Sequence, residues 1–294
     1  MRISGKTRVC AVIGDPVEHS LSPCFQNAAF RHLGLDFVYV AFTVKAEELE
    51  DAIAGIRSLG FHGLNVTMPH KISVIQYLDE LDENAEKVGS VNTILNRNGR
   101  LIGYTTDGIG ALNALKYNGI DPRGKKIVIL GAGGASRSAS FALMKEAREL
   151  VILNRTLARA EKLVSALHGF IEEHSKIRPG GLTKENLRKE LEDADILINA
   201  TPVGMRPRED EMPVDEDHLH SNLVVFDLVY NPIETKLLRK ARLAGAKTIN
   251  GLHMLIHQGA ASFEIWTGIK APIHVMMKAA EEELKKRTRC EGKL

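Results

Sequence analysis

Blocks of consecutive apolar residues alternate with amphipathic stretches along most of the chain. Val9 to Ile13 is an unbroken apolar run closed by Gly14-Asp15-Pro16, which predicts a short buried strand. Phe25 to Leu33 predicts a helix, and Phe37 to Phe42, rich in β-branched and aromatic residues, predicts a strand. Leu49, Ala52, Ile53 and Ile56 keep the i, i+3, i+4, i+7 spacing of one helix face. Phe61 to Val66 is the next predicted strand, ending in Thr67-Met68-Pro69. Ser90 to Leu95 and Arg100 to Thr105 flank Arg97-Asn98-Gly99, and the Asn-Gly step favours a tight hairpin because both residues tolerate positive φ.

A turn-rich segment, Asn118 to Gly124, precedes a second series. Its predicted strands are Lys126 to Leu130, Leu150 to Leu153, Asp195 to Ala200, Leu223 to Val229 and Ala246 to Ile249. Arg206 to Asp217 is charged and predicts a surface loop, while Met254 to Trp266 and Pro272 to Leu284 predict helices. The polar end, Lys285 to Leu294, is expected to fray. Strands alternating with helices predict an α/β protein with a largely parallel sheet.

Composition narrows the classes without choosing a function. The 294 residues allow two domains or one large one. Hydrophobic residues at 44% and charged residues at 26% are those of an ordinary globular protein. A formal net charge of +2 gives no electrostatic case for nucleic acid or membrane binding. The three cysteines, Cys10, Cys24 and Cys290, lack Cys-x-x-Cys spacing, so a reducing compartment is expected. Met1 to Lys6 begins no apolar signal segment, and no apolar run approaches the roughly 18 residues of a membrane span. A cytoplasmic location follows as the expectation.

The candidate chemistry starts at Ile127 to Leu130, which runs into Gly131-Ala132-Gly133-Gly134-Ala135-Ser136 and then a helical pattern. Between a strand and a helix, Gly131 permits a sharp turn and Gly133 lets the backbone approach a pyrophosphate. The helix N-terminus then offers free N–H groups to the anion. This predicts a nicotinamide dinucleotide site. The next strand ends at Leu153, where an NAD site usually carries an acid for the ribose 2′-hydroxyl. Here Asn154-Arg155-Thr156 stands instead, with Arg159 four residues beyond Arg155. A guanidinium pairs with a 2′-phosphate that an acid would repel, so NADP is favoured.

The first half carries four polar clusters at predicted strand ends: Ser20-Leu21-Ser22-Pro23; Asn65-Val66-Thr67-Met68-Pro69-His70-Lys71; Val91-Asn92-Thr93; and Thr106-Asp107-Gly108. The serine pair can point at one anion, or serve as an ordinary helix cap. In order, these clusters and the glycine turn are followed by Asn154-Arg155-Thr156, Asn199-Ala200-Thr201-Pro202-Val203-Gly204-Met205, Asp227-Leu228-Val229-Tyr230 and Gly251-Leu252-His253-Met254 to Gln258. The whole set resembles the shikimate dehydrogenase family over nearly the full chain.

The resemblance implies a fold: an N-terminal α/β substrate domain (1–106), a Rossmann-type dinucleotide-binding domain (107–250) and C-terminal helices (251–294) packing back on the first. The active site would lie in a cleft between the domains. It also implies a reaction, the reversible NADPH-dependent reduction of 3-dehydroshikimate to shikimate in the chorismate (aromatic amino acid) pathway. By the same resemblance, Lys71 and Asp107 are the catalytic pair, and Ser20 and Ser22 hold the substrate carboxylate with Tyr230 nearby. Asn65, Thr67, Asn92 and Gln258 meet the ring hydroxyls. The cofactor shell would be Gly131, Ala132, Gly133, Gly134, Ala135, Asn154, Arg155, Thr156, Arg159, Thr201 and Leu228, with Met205, Gly251 and Met254 lining the nicotinamide. Thr105 stands where the family usually has Asn, which puts one local hydrogen bond in doubt. His70 stands where an apolar aromatic is common, to tune the neighbouring lysine or to pack.

Carbonyl reduction builds negative charge on oxygen, and a positioned donor must stabilise it and supply a proton. Lys71 can do both while Asp107 holds its ammonium; in an alternative assignment Asp107 is the base and Lys71 orients. The partners expected are a small-molecule substrate and NADP, with a homodimer left open. His253 and His257 share metal-ligand spacing, but no Glu follows His253 and no metal is expected. Trp266 is expected to pack. The rivals are a quinate/shikimate dehydrogenase using NAD, a non-catalytic dinucleotide-binding regulator and a methyltransferase on a similar sheet.

Overall fold

The computed structural model describes residues 3–170 and 176–291. The chain divides into two compact units, Met1–Thr106 with Ile256–Leu294, and Asp107–Leu255.

In the first unit the order is β1 (Arg8–Gly14), α1 (Ser22–His32), β2 (Phe37–Thr43), α2 (Leu49–Ser58), β3 (Gly63–Val66), β4 (Glu80–Leu81), α3 (Glu83–Val88), β5 (Thr93–Arg97) and β6 (Arg100–Tyr104). The sheet order is β2-β1-β3-β5-β6-β4. β1 is parallel to β2 and β3, whereas β5 is antiparallel to β3 and β6. The sheet is therefore mixed, which corrects the expectation of a largely parallel one for this half. The cause is the β5–β6 hairpin, whose two-residue loop puts Asn98 and Gly99 at φ 55° and 89°. Such a turn can only join antiparallel neighbours. Ala11, Ile13, Leu64 and Ile94 lie in the core against Ile53 and Ile56 of α2.

The second unit runs through α4 (Asp107–Tyr117), β7 (Lys126–Leu130), α5 (Gly134–Leu143), β8 (Glu149–Asn154), α6 (Leu157–Leu167) and β9 (Lys176–Gly181). It continues with α7 (Lys184–Leu191), β10 (Ile196–Asn199), β11 (Val224–Asp227), α8 (Lys236–Leu243) and β12 (Lys247–Ile249). Its sheet order is β12-β11-β10-β7-β8-β9, with every pairing parallel. Counted from β7, this is the doubly wound 6-5-4-1-2-3 arrangement, and its strand order reverses between β7 and β10. Ligands of such sheets bind beyond the strands' C-terminal ends at that reversal. At the opposite end, the buried Lys126 ammonium is 3.2 Å from the buried Glu190, which also pairs with Arg178. Arg178 chiefly, and Lys126 with it, hold the Glu190 carboxyl below its usual range.

Two helices close the chain, α9 (Gly251–Thr267) and α10 (Ile273–Glu291). The unit division falls within α9, after Leu255. In the first unit α10 packs along α1, and the Cys24 thiol reaches the Ala279 carbonyl at 3.3 Å. Helix α10 continues through Glu291, so most of the segment expected to fray is helical; residues 292–294 lie outside the described residues. Trp266 packs, as expected: its ring covers Gly63 of β3 and its indole N–H donates to the Ile94 carbonyl at 3.0 Å. Among the described residues no helix is long and apolar enough to cross a membrane.

Candidate active site

In the first unit the polar motifs gather where parallel strands β1 and β3 end. Gly14 packs directly on Thr67, and Asp15 N–H donates to the Met68 carbonyl at 2.9 Å, so the loops after the two strands run side by side. Helix α1 begins at Ser22, and its cap position, Leu21, supplies no side-chain bond. Ser20 Oγ accepts from Ser22 N–H at 3.2 Å, a local bond of the capping kind at the entry to α1, so the plain reading of the serines as a helix cap stands beside the substrate reading. Lys71 follows β3 in a turn and is half-buried, its carbonyl accepting from Val91 N–H at 2.8 Å. That bond holds the lysine segment to the strand lead-in carrying Asn92.

Asn65, Asn92 and Gln258 come together in one buried array. Asn65 Nδ2 lies 3.0 Å from the Asn92 carbonyl, 3.1 Å from Thr93 Oγ1 and 3.0 Å from Ser262 Oγ. Asn92 Nδ2 donates to Thr106 Oγ1 at 2.9 Å and to Gln258 Oε1 at 3.2 Å, while Asn92 Oδ1 accepts from Thr106 N–H at 2.7 Å. The Tyr39 hydroxyl donates to Asn65 Oδ1 at 2.7 Å. Burial raises the pKa of that phenol well above its ordinary value, so it remains a donor.

Sequence reasoning assigned no role to four members of this array: Tyr39, Thr93, Thr106 and Ser262. Thr93 and Thr106 stood inside recognised motifs. Ser262 lies one helical turn beyond Gln258, and that i, i+4 spacing was a usable signal. Tyr39 carried none, because an apolar strand accepts a tyrosine for its ring alone.

Two departures from the family pattern find physical readings. The Thr105 hydroxyl is buried and makes no hydrogen bond. His70 is fully buried and its Nε2 bonds the Val44 carbonyl at 2.7 Å, so its ring packs and ties down the turn.

In the second unit Asp107 opens α4 and is buried. Gly108 behind it presses against the Ser138 carbonyl of α5, a contact no Cβ would permit. Between β7 and α5, Gly131 has φ +104°, and an added Cβ would lie 3.0 Å from the Ala200 carbonyl and 3.2 Å from the Thr201 methyl. The Ser136 hydroxyl donates to the Gly131 carbonyl at 2.7 Å and closes the turn. These contacts bring Gly131 and Thr201 together at the strand-order reversal.

The residues present fit a dinucleotide. Helix α5 is capped by Gly133 with no side-chain bond, and nothing lies within 4 Å of a Cβ built at Gly133 or Gly134. An open glycine face over uncapped N–H groups suits a pyrophosphate. At the end of β8, Asn154 Nδ2 donates to the Thr156 carbonyl at 2.8 Å, and Arg155 and Arg159 are exposed.

The loops after β10 and β11 are joined by a buried carboxylate. Asp227 accepts from Asn199 Nδ2 at 2.9 Å, Val229 N–H at 3.1 Å and the Thr235 hydroxyl at 2.6 Å. Asn199 Oδ1 in turn accepts from the Thr201 hydroxyl at 2.6 Å. Desolvation pushes the Asp227 carboxyl up to about 6, against these donors. Leu228 follows directly, and Gly251 lies flush on its carbonyl. Met205 is exposed, Met254 is buried and Tyr230 is half-buried. The His253 ring meets Asn118 at 3.2 Å, and among the described residues no group of three or more His, Cys, Asp or Glu is arranged to hold a metal ion.

Comparison with known proteins accounts for both units. Residues 12–94 match the family described as shikimate dehydrogenase substrate binding domain, 114–239 that of shikimate / quinate 5-dehydrogenase, and 251–281 the shikimate 5'-dehydrogenase C-terminal domain. The shikimate dehydrogenase (NADP(+)) of Methanopyrus kandleri is 51% identical over 286 residues, 96% of this chain and 98% of the relative. A crystal structure of a shikimate dehydrogenase in complex with NADP+ superposes with a TM-score of 0.89 at 46% identity, covering 96% of this chain and 98% of that one. The shikimate 5-dehydrogenase of Listeria monocytogenes, in complex with shikimate and NAD, gives 0.89 at 42% identity over 95% and 98%. With this agreement over nearly its whole length, the chain belongs to the shikimate dehydrogenase family.

Proposed function

We propose that this chain catalyses the reversible reduction of 3-dehydroshikimate to shikimate with NADPH, in the cytoplasm and on the route to the aromatic amino acids. The observation that carries the reading is the array of Asn65, Asn92, Thr106 and Gln258 beside the segment bearing Lys71. Fixed neutral amides and hydroxyls suit a polyhydroxylated ring, because each group offers a donor or acceptor in a set direction.

Ser20 and Ser22 hold the ring carboxylate, with Tyr230, and Asn65, Thr67, Asn92 and Gln258 meet the ring hydroxyls. NADPH supplies the hydride when bound. Lys71 stabilises the developing alkoxide and donates the proton to the carbonyl oxygen; Asp107 orients the ammonium and takes part in the proton's return when the reaction runs backwards. Gly131, Ala132, Gly133, Gly134 and Ala135 cradle the pyrophosphate. Arg155 and Arg159 pair with the 2′-phosphate beside Asn154 and Thr156, and Thr201, Met205, Leu228, Gly251 and Met254 line the nicotinamide end. The unit holding Asn65 and Gln258 is the substrate domain, and the parallel-sheet unit is the NADP domain. The ligands are small molecules, and a homodimer, checked by mass in solution, belongs to the same reading.

The test is to incubate purified protein with shikimate and NADP+, then with NAD+, then with quinate, following absorbance of the reduced nicotinamide. Fastest turnover is expected with shikimate and NADP+. No reduction with shikimate and either cofactor would sink the proposal.

A further inference from the structure

Tyr39 is fully buried in β2, yet its hydroxyl stands among the groups assigned to substrate recognition. It donates to Asn65 Oδ1 at 2.7 Å. The Asn65 amide has only one tenable orientation. Its nitrogen faces three oxygens, the Asn92 carbonyl, Thr93 Oγ1 and Ser262 Oγ, within 3.1 Å. Reversed, the amide would set oxygen against the Asn92 carbonyl. With two hydrogens shared among three acceptors, the nitrogen is committed to the protein. The oxygen keeps one lone pair beyond the one Tyr39 uses, and Tyr39 fixes its direction.

We infer that Tyr39 is a positioning residue for the substrate, its phenolic hydroxyl setting the direction of the Asn65 amide. Asn65 then turns its remaining lone pair towards a ring hydroxyl of a hydroxylated ring acid, and the phenol acts on that grip without touching the ligand. The inference rests on the function proposed above.

The experiment is Tyr39→Phe, which removes one oxygen and keeps the ring against Trp266, 5.9 Å away between centroids. Loss of a buried donor that orients a recognition group is expected to raise KM for shikimate by about tenfold. KM for NADP+ should stay within about twofold, because the cofactor residues lie on other elements. A second measurement places the substitution in an Asn65→Ala background. If Tyr39 acts through Asn65, most of its effect disappears there. An unchanged shikimate KM in Tyr39→Phe, a parallel rise in both KM values, or full additivity with Asn65→Ala would each overturn the inference. A wild-type protein inert towards shikimate would instead overturn the functional reading, so the two failures are distinguishable.

Discussion

In the first unit the groups gathered beyond β1 and β3 are neutral amides and hydroxyls, with Lys71 as their charged neighbour. In the second, the corresponding strand ends present glycine backbone, an uncapped helix N-terminus, two exposed guanidiniums after β8 and a buried carboxylate at the end of β11. Neutral hydrogen bonds keep their directions when pH or salt changes. A site built on backbone dipoles, arginine and Asp227 does not have that insulation. The difference suits the two ligands, a ring whose hydroxyls are read by direction and a phosphate chain read by charge. It implies that solution conditions act chiefly on cofactor binding.

The largest expected effect is at the charged neighbour itself. Lys71→Ala should lower kcat by roughly 10²- to 10⁴-fold, with NADP+ affinity unchanged by titration of the reduced cofactor's fluorescence. Turnover near wild type would clear Lys71 of an essential role.

Asp227 tests whether the second unit is the pH-sensitive one. Its carboxyl is raised from 3.8 to about 6 in the folded state, so the native form binds the proton more tightly than the unfolded chain. The protonated form thus contributes stability that is complete below about pH 4 and is lost as pH rises through about 6. The contribution is of order 3 kcal/mol. Denaturant melts should show the fall in stability between about pH 4 and 6 flattened in Asp227→Asn; an unaltered slope would assign that pH dependence elsewhere.

Arg155→Ala should weaken NADP+ by about 10- to 100-fold and NAD+ hardly at all, since the charge-assisted bond is made only to the 2′-phosphate. It should also blunt the salt dependence of NADP+ binding. Equal losses for both cofactors would remove the phosphate role. Gly131→Ala is expected to cost about 1–2 kcal/mol at its positive φ. It should lower affinity for both dinucleotides and leave shikimate binding alone, as calorimetry with each ligand would show.

Much of this was legible because it is local. The run Ile127 to Leu130 into Gly131 announces a strand, a turn and an anion-binding helix end, and each step is decided by adjacent residues. The Asn98-Gly99 hairpin was readable for the same reason, though not that it would make the first sheet mixed. β9, Lys176–Gly181, escaped because its sequence, with Pro179 and two glycines, has no apolar alternation. It survives as an edge strand, where a missing N–H costs little. β4, two residues long, also lies at an edge. In the site, motif residues such as Asn65, Asn92 and Gln258 could be named in advance. The hydroxyl of Tyr39 could not, since its purpose depends on β3, 26 residues later, reaching it across the sheet.

Trp266 is the chain's single tryptophan, and it lies in the first unit with its indole pinned over Gly63. Its emission therefore reports on that unit alone; the parallel-sheet half is dark to it. An unfolding curve followed by this light watches one half of the molecule. Laid beside a calorimetric trace, which registers both halves, it becomes an internal clock: coincident transitions mean the halves unfold as one cooperative body, and separated ones identify which half lets go first.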